Sequence, residues 1–338
     1  MKRLTLFLFV LLACALSVIW PHEIMFKGLV QPWFYSVEQN ADDGYLFGFT
    51  LRRVRLKPYG SFSNSISWTL CFGWDSQVAR LLDAYIDFRA SEHLQFRIGQ
   101  FTVPGSISSS LTSSGKLDML ERPNITLKWG QNSGLSSYRS VGFQIHGELM
   151  QSKLCYAFMV ANPKTYGIFT PKMTEAEFVN ENNGIAFWGR IQADLKNGLT
   201  LGAFFGTGRE SSNEIQRNSY GVHLFYVKNR LNLKAEFISG RFQIEGQENI
   251  YKGFYALAGY RINKFEPIIR FDLLIPNQGN VDDFGVEEYQ DYTLGVNYFF
   301  HKNIKFQVNY AIRRESGADE FAGKLKNNIF YVNVQFSF

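Results

Sequence analysis

Beyond its N-terminal end, this chain of 338 residues has no apolar run of about 18 residues, which rules out membrane-spanning helices in its body. Cysteine is scarce as well. Cys14, Cys71 and Cys155 cannot build the dense disulfide framework of a small secreted domain. Charge is modest and nearly balanced, with 35 Lys and Arg against 30 Asp and Glu. The basic residues are dispersed rather than clustered, so no nucleic-acid surface is expected. Histidines do not gather either: His93 and His301 fall in predicted turns and His22 near the start. No metal site or cofactor is expected from that distribution.

What the chain does have is aromatic side chains, 16% of its residues, led by 32 phenylalanines. That is far more than an ordinary globular composition carries, yet the mean hydropathy is slightly negative. Strands that alternate apolar and polar residues reconcile the two, because they hide apolar surface without any long apolar run.

Residues 1–17 read as an export signal. Lys2-Arg3 form the positive start, Leu4 to Leu12 the apolar core, and Ala13-Cys14-Ala15 a small-residue cleavage site. A second reading makes Leu11-Leu12-Ala13-Cys14 a lipidation box with Cys14 acylated. Both readings export the chain and leave residues 18–338 as one domain. Cys71 and Cys155 then fall in two strands that are not neighbours, where they serve as small space-filling residues.

From Ile24 onward about sixteen strand-like runs follow one another. They begin near Ile24, Tyr45, Ile66, Val78, Leu94, Arg139, Lys153, Ile185, Leu199, Ser219, Leu231, Tyr251, Phe265, Tyr289, Ile304 and Asn327. The run at Ile304 is the clearest. Ile304, Phe306, Val308, Tyr310 and Ile312 share one face, and Lys305, Gln307, Asn309 and Arg313 the other. Each run is expected to hold about 9–11 residues, the length of a tilted spanning strand. The last one places Phe330, Val332, Val334, Phe336 and Phe338 outward and Asn333 and Gln335 inward, as wall of an aqueous pore. A soluble sandwich also alternates, but not so many times with aromatic-rich outer faces.

Connections alternate in length. Short turns at Ala90 to His93, Gln151-Ser152, Lys196 to Gly198, Lys228 to Arg230, Asn263-Lys264 and His301 to Asn303 carry hairpin residues. Longer polar connections lie between them, around Pro104 to Asn124, Pro163 to Asn183, Thr207 to Arg217, Pro276 to Glu288 and Arg314 to Lys326. The expected fold is therefore all-β, a 16-stranded antiparallel transmembrane β-barrel in the bacterial outer membrane, with short turns and both termini in the periplasm. The longest connection, about 104–138, is serine-rich and carries Lys116, Asp118, Glu121 and Arg122. It is expected to fold into the barrel as a constriction loop; the alternative is a flexible surface loop.

Alternation also sorts the inward face. Arg53, Arg55, Lys57, Arg97, Arg190, Arg261, Arg270 and Lys305 are expected to line the lumen, with Asp83, Asp87, Glu148, Asp194, Glu236, Glu266 and Asp272 among the acids. Guanidinium groups stay charged and offer a planar fork to oxyanions, so this lumen attracts anions. Hairpin geometry sets Arg97 opposite Asp87 and Arg261 opposite Glu266 as cross-strand pairs. Arg53 and Arg55 have no acid within their own strand, which makes them the first choice for anion contacts. Their parity matches Phe47, Phe49 and Leu51, so a β-bulge is needed to turn them inward. No catalytic set emerges. Asp83 and Asp87 lie about 13 Å apart along one strand, and Ser140, His146 and Glu148 do not space as a triad. Asp282-Asp283 in an outer connection is read as a solvated loop, the alternative being a contact with calcium or lipopolysaccharide cations. An enzyme is not expected.

Three segments carry a family resemblance. Leu51-Arg52-Arg53-Val54-Arg55-Leu56-Lys57, Leu82 to Phe88, and Phe96-Arg97-Ile98-Gly99-Gln100-Phe101-Thr102-Val103-Pro104 resemble the phosphate-selective porin O and P family, as do Phe265 to Asp272 and the last strand. The aromatic content is similar to that of Bacteroidetes-type members. The resemblance implies a 16-stranded passive channel, usually trimeric, with arginines along the lumen and no cofactor. Phe338 resembles the sorting signal read by the barrel-assembly machinery. Two features depart from the family. The candidate loop has few basic residues beyond Lys116 and Arg122, and the connection at about Asp75 to Gln77 is too short to latch a neighbouring subunit. The expected function is a porin for small hydrophilic solutes with a mild anion preference, phosphate being one candidate, set in outer-membrane lipid and lipopolysaccharide. A barrel that binds a partner or serves a structural role without an open channel is the alternative.

Overall fold

Sixteen alternating segments pair in sequence order, and the first pairs with the last, closing one antiparallel barrel. In chain order they are β1 (Glu23–Glu38), β2 (Tyr45–Ser63), β3 (Ile66–Asp75), β4 (Val78–Arg89), β5 (Gln95–Thr102), β6 (Arg139–Leu149), β7 (Leu154–Ala161), β8 (Ala186–Asp194), β9 (Leu199–Glu210), β10 (Ile215–Lys228), β11 (Leu231–Ile244), β12 (Gln247–Tyr260), β13 (Phe265–Ile275), β14 (Glu288–His301), β15 (Ile304–Ser316) and β16 (Ile329–Ser337). The computed structural model describes residues 23–39, 44–75, 78–130, 137–151, 153–163, 184–210, 215–244, 247–276, 286–316 and 327–338. The expected export segment and Asp282-Asp283 lie outside the described residues.

Every expected strand is present, and the starts differ by at most four residues. β10 begins at Ile215 rather than Ser219, and β12 at Gln247 rather than Tyr251. Lengths are where expectation falls short. The strands run from 8 residues in β5 to 19 in β2, so several hairpins are longer than a bilayer crossing requires. Asn197, Asn229 and Asn263 adopt positive φ in three of the short turns, a conformation asparagine tolerates better than most residues.

The outer face is apolar. Phe49, Phe187, Phe205, Ile269, Phe306 and Phe336 stand exposed there, while Asn309, Gln307 and Asn333 on the same strands or their neighbours point in and are almost fully buried. Burial on the inner face means that something fills part of the lumen, and residues 103–130 do so. Val103, Met119 and Ile125 join an apolar cluster with Phe101, Met159, Trp188, Phe204, Tyr255 and Leu274 of the wall. Cys71 and Cys155 are free thiols, on β3 and β7.

Closure depends on the seam between β1 and β16. The Gly28 N–H donates to Phe338 O at 2.8 Å, and the Phe338 N–H returns to Gly28 O at 3.2 Å. The far end of the Phe338 ring then covers Gly28, where any Cβ would overlap it. Near mid-strand the ladder from β1 to β16 skips Gln31 and Pro32, and proline has no N–H to give. The terminal pairing must therefore hold the seam beyond the skip. Gly28→Val is expected to lower the temperature at which the folded, heat-modifiable form is lost on gel electrophoresis; an unchanged transition would contradict this role of the seam.

Candidate functional site

β2 carries a bulge that places two arginines side by side. Its register against β1 runs Gln31–Arg53 and then Pro32–Leu51, leaving Arg52 as the extra residue. A bulge of this kind lets two consecutive side chains share a face. Phe47, Phe49 and Leu51 stay outward and exposed, while Arg52 and Arg53 both turn into the lumen. There they grip one carboxylate of the inserted segment. Arg52 Nε lies 2.8 Å and Arg53 Nη2 2.9 Å from the Glu121 carboxylate oxygens. Burial alone would raise the Glu121 pKa, but the charges of Arg53 and Arg52 and their hydrogen bonds outweigh it and hold it below its ordinary value.

The opposite wall holds the same segment with polar side chains. On β11, Glu236 accepts the backbone N–H groups of Ile107, at 2.8 Å, and Ser108, and Lys234 donates to Asp118 at 2.7 Å. On β13, Asp272 accepts the Asn124 N–H, and Arg270 donates to Glu121 O at 2.7 Å and pairs with Asp272 at 2.6 Å. β14 and β15 supply Asn297 and Gln307 to Asp118 O, Lys305 to Leu117 O, and Asn309 Oδ1 to the Leu120 N–H. β16 and β1 complete the arc with Gln335 on Gly115 O and Gln31 on Ser114 O. A backbone segment with so little regular structure needs partners for its buried N–H and C=O groups, and the wall provides them.

This geometry changes several expectations. Arg53, Arg270 and Lys305 were expected to face water, but each is almost fully covered and engaged with the segment or its carboxylates. Asn333 and Gln335 are not pore wall. They are buried beneath the segment, Asn333 donating to Gln307 and Gln335 to Gly115 O. Arg55 is not free either, because Asp75 at the end of β3 lies 2.7 Å away. Arg261 does not meet Glu266; it sits over the Phe299 ring at 4.0 Å, and Glu266 is bonded by Asn297 instead. Arg97 does pair with Asp87, at 2.7 Å, and stacks on Tyr85.

Water-facing charge remains on the β2–β6 side. Side-chain exposure is 17% for Arg55, 20% for Asp87, 25% for Arg97 and 40% for Arg139, against 5% for Arg53 and 7% for Arg270. Arg139, which the alternation rule did not single out, pairs with Asp83 at 2.8 Å. Lys57 is half-buried opposite Lys27, and Lys116 is exposed on the segment. Arg122 is buried and donates to the carbonyls of Ser108 and Thr112. Burial, and then the guanidinium of Arg53, push its pKa down to about 9, with Arg139 and Arg55 adding to the push and Glu121 opposing it. Arg122 therefore keeps its charge at neutral pH. Around it lie the guanidiniums of Arg52, Arg53, Arg55 and Arg139 and the carboxylates of Glu121, Asp75 and Asp83.

Three of the groups weighed for catalysis are otherwise engaged. Asp83 and Asp87 hold Arg139 and Arg97, and Ser140 donates to the Asn162 carbonyl. Among the described residues no group of three or more His, Cys, Asp or Glu side chains is placed to hold a metal ion. The amide-rich inner face of β14–β16 was the missed signal. Asn297, Gln307, Asn309 and Gln335 are partners of the segment's backbone and Asn333 braces Gln307, rather than contacting ions.

Charge-assisted bonds of the Glu236 kind contribute about 1.5–3 kcal/mol each. In a Glu236→Gln, Asp118→Asn double variant the strand ladder is untouched, so the folded barrel should persist while the segment loosens. Single-channel conductance should rise, and proteolysis between residues 104 and 138 should accelerate. Unchanged conductance and cleavage would contradict the anchoring.

The profile of the family described as phosphate-selective porin O and P matches residues 33–338. Among solved structures, the barrel is similar to the anion-selective porin from Comamonas acidovorans (TM-score 0.69, 12% identity, covering 94% of this chain and 99% of that one). It is also similar to the outer membrane channel DcaP of Acinetobacter baumannii (TM-score 0.64, 14% identity, 94% and 97% covered). The trimer form of Vibrio cholerae OmpT is a third such structure (TM-score 0.65, 9% identity, 94% and 99% covered). A comparison with curated protein sequences gave no match.

Proposed function

Because the chain belongs to the phosphate-selective porin O and P family, as a multi-pass β-barrel of the bacterial outer membrane, we propose that it is a passive diffusion porin for small hydrophilic solutes with a mild anion preference. Segment 104–138 acts as its constriction. Solutes pass between that segment and the β2–β6 wall, where the partly exposed charges lie. The observation that carries the anion preference is the charge around Arg122. Five guanidiniums, Arg52, Arg53, Arg55, Arg122 and Arg139, face three carboxylates, Glu121, Asp75 and Asp83. The surplus of two positive charges favours anions at the narrowest level. One-to-one pairing of Arg97 with Asp87 further along keeps the preference mild.

In the same reading residues 1–17 are removed on export, and Phe338 is the terminal signal taken by the barrel-assembly machinery. Both termini then lie in the periplasm, consistent with the short turns on the rim where Gly28 and Phe338 meet. The assembly is a homotrimer in lipid and lipopolysaccharide; a trimer form is recorded for Vibrio cholerae OmpT. Selectivity for phosphate over other anions is not part of the proposal, since Lys116 is the one lysine whose side chain is described in the segment.

Planar-bilayer recording tests the reading. Purified protein should give conductance steps and a reversal potential on the anion side in a KCl gradient. Arg139→Glu, which reverses a water-facing charge, should move that potential toward cation selectivity. Insertion without steps, or a potential indifferent to Arg139→Glu, would overturn it.

A further inference from the structure

On the inner wall of β6–β10, away from the inserted segment, one guanidinium has no counter-charge. Arg190 forms no ion pair among the described residues, and its Nε and Nη1 are enclosed without a hydrogen-bond partner. The nearby carboxylates are taken. Asp194 accepts Thr200 at 2.7 Å and Gln192 at 3.2 Å, and Asp87 holds Arg97.

Two imidazoles flank the guanidinium, and each also has an idle nitrogen. Ala157 lies opposite both His146 and Arg190 in the ladder, so only a methyl group separates them along the wall. Gly202 lies opposite both Gln192 and His223, and the His223 ring rests across it, toward β8. A side chain at position 202 would fill the space the ring takes. His146 Nδ1 and His223 Nε2 are buried without partners, and the Arg190 charge reaches both rings. Enclosed polar nitrogens left unmatched are costly, more so when one group is charged. A guanidinium fork beside two imidazoles, with the Asp87 and Asp194 carboxylates that reach those rings already bonded elsewhere, suits an oxyanion.

We propose that Arg190, with His146 and His223 beside it, forms an oxyanion subsite on the lumen wall, taking a carboxylate or phosphate group of a solute in transit. The subsite rests on the reading of the protein as an anion-preferring porin and gives that pathway a second station, apart from the Arg122 cluster. The anion replaces the missing partner of Arg190 and leaves as readily as it arrives, because one face of the site is the lumen.

The test uses the full barrel in planar bilayers, with sodium acetate and, separately, inorganic phosphate added to KCl. Concentration-dependent block of the chloride current is expected for at least one of the two, and the stronger blocker identifies which oxyanion the subsite prefers. Arg190→Gln should raise the half-blocking concentration about tenfold or more, the equivalent of a lost charge-assisted bond. Arg190→Lys, which keeps the charge but not the fork, should fall between. Lys302→Gln, in a rim turn, should block like the wild type. Heat-modifiable mobility checks that each variant is folded. Block that is absent in the wild type, or equal in the wild type and folded Arg190→Gln, overturns the subsite. In that case an anion-side reversal potential in the wild type leaves the porin reading standing, and a cation-side one removes both.

Discussion

Backbone inside a barrel must find a partner for every buried N–H and C=O, and that requirement organises this molecule. Residues 103–130 enter the lumen with only short helical turns of their own. The wall answers with amides, carboxylates and cations aimed at successive backbone groups from Ile107 to Asn124. Apolar side chains of the segment, Val103, Met119 and Ile125, meet an equally apolar patch of wall. The lumen is thus divided into a filled arc and an open one.

The division decides which charges matter for transport. Arg53, Arg270 and Lys305 have the residue type of an anion path but spend their donors on the segment. Arg55, Arg97 and Arg139 keep contact with water, each beside an aspartate. Selectivity then comes from the few cations that pairing leaves over. A strand-by-strand count of basic and acidic residues overstates it, because Arg53, Arg270, Lys305, Glu236 and Asp272 serve as anchors.

The barrel itself was legible in the sequence. Period-two alternation, repeated aromatic outer faces and alternating connection lengths are local signals, and each of the sixteen starts follows from them to within four residues. Even the bulge in β2 could be inferred, since Arg53 and Phe49 cannot otherwise both take suitable faces. The arrangement of the lumen was not legible. Asn333 and Lys305 alternate inward whether they meet water or a folded segment, and alternation cannot tell these apart. Glu121 reaches Arg53 through loop insertion, which no local pattern encodes, and Asp75 reaches Arg55 from the adjoining strand but two residues beyond its direct cross-strand partner Gly73. Arg261 failed for a nearer reason: the chain turns directly after it, and its guanidinium finds Phe299 before Glu266.

The most direct test of the divided lumen is the accessibility of single cysteines, introduced after Cys71 and Cys155 are replaced, to a charged water-soluble thiol reagent in the folded barrel. Asp87→Cys and Arg139→Cys, on the open arc, should react fast. Gln307→Cys and Asn333→Cys, each 1% exposed in the native protein, should be protected until the barrel is denatured. Comparable rates at all four positions would mean that the segment does not fill that arc, and the account would fail.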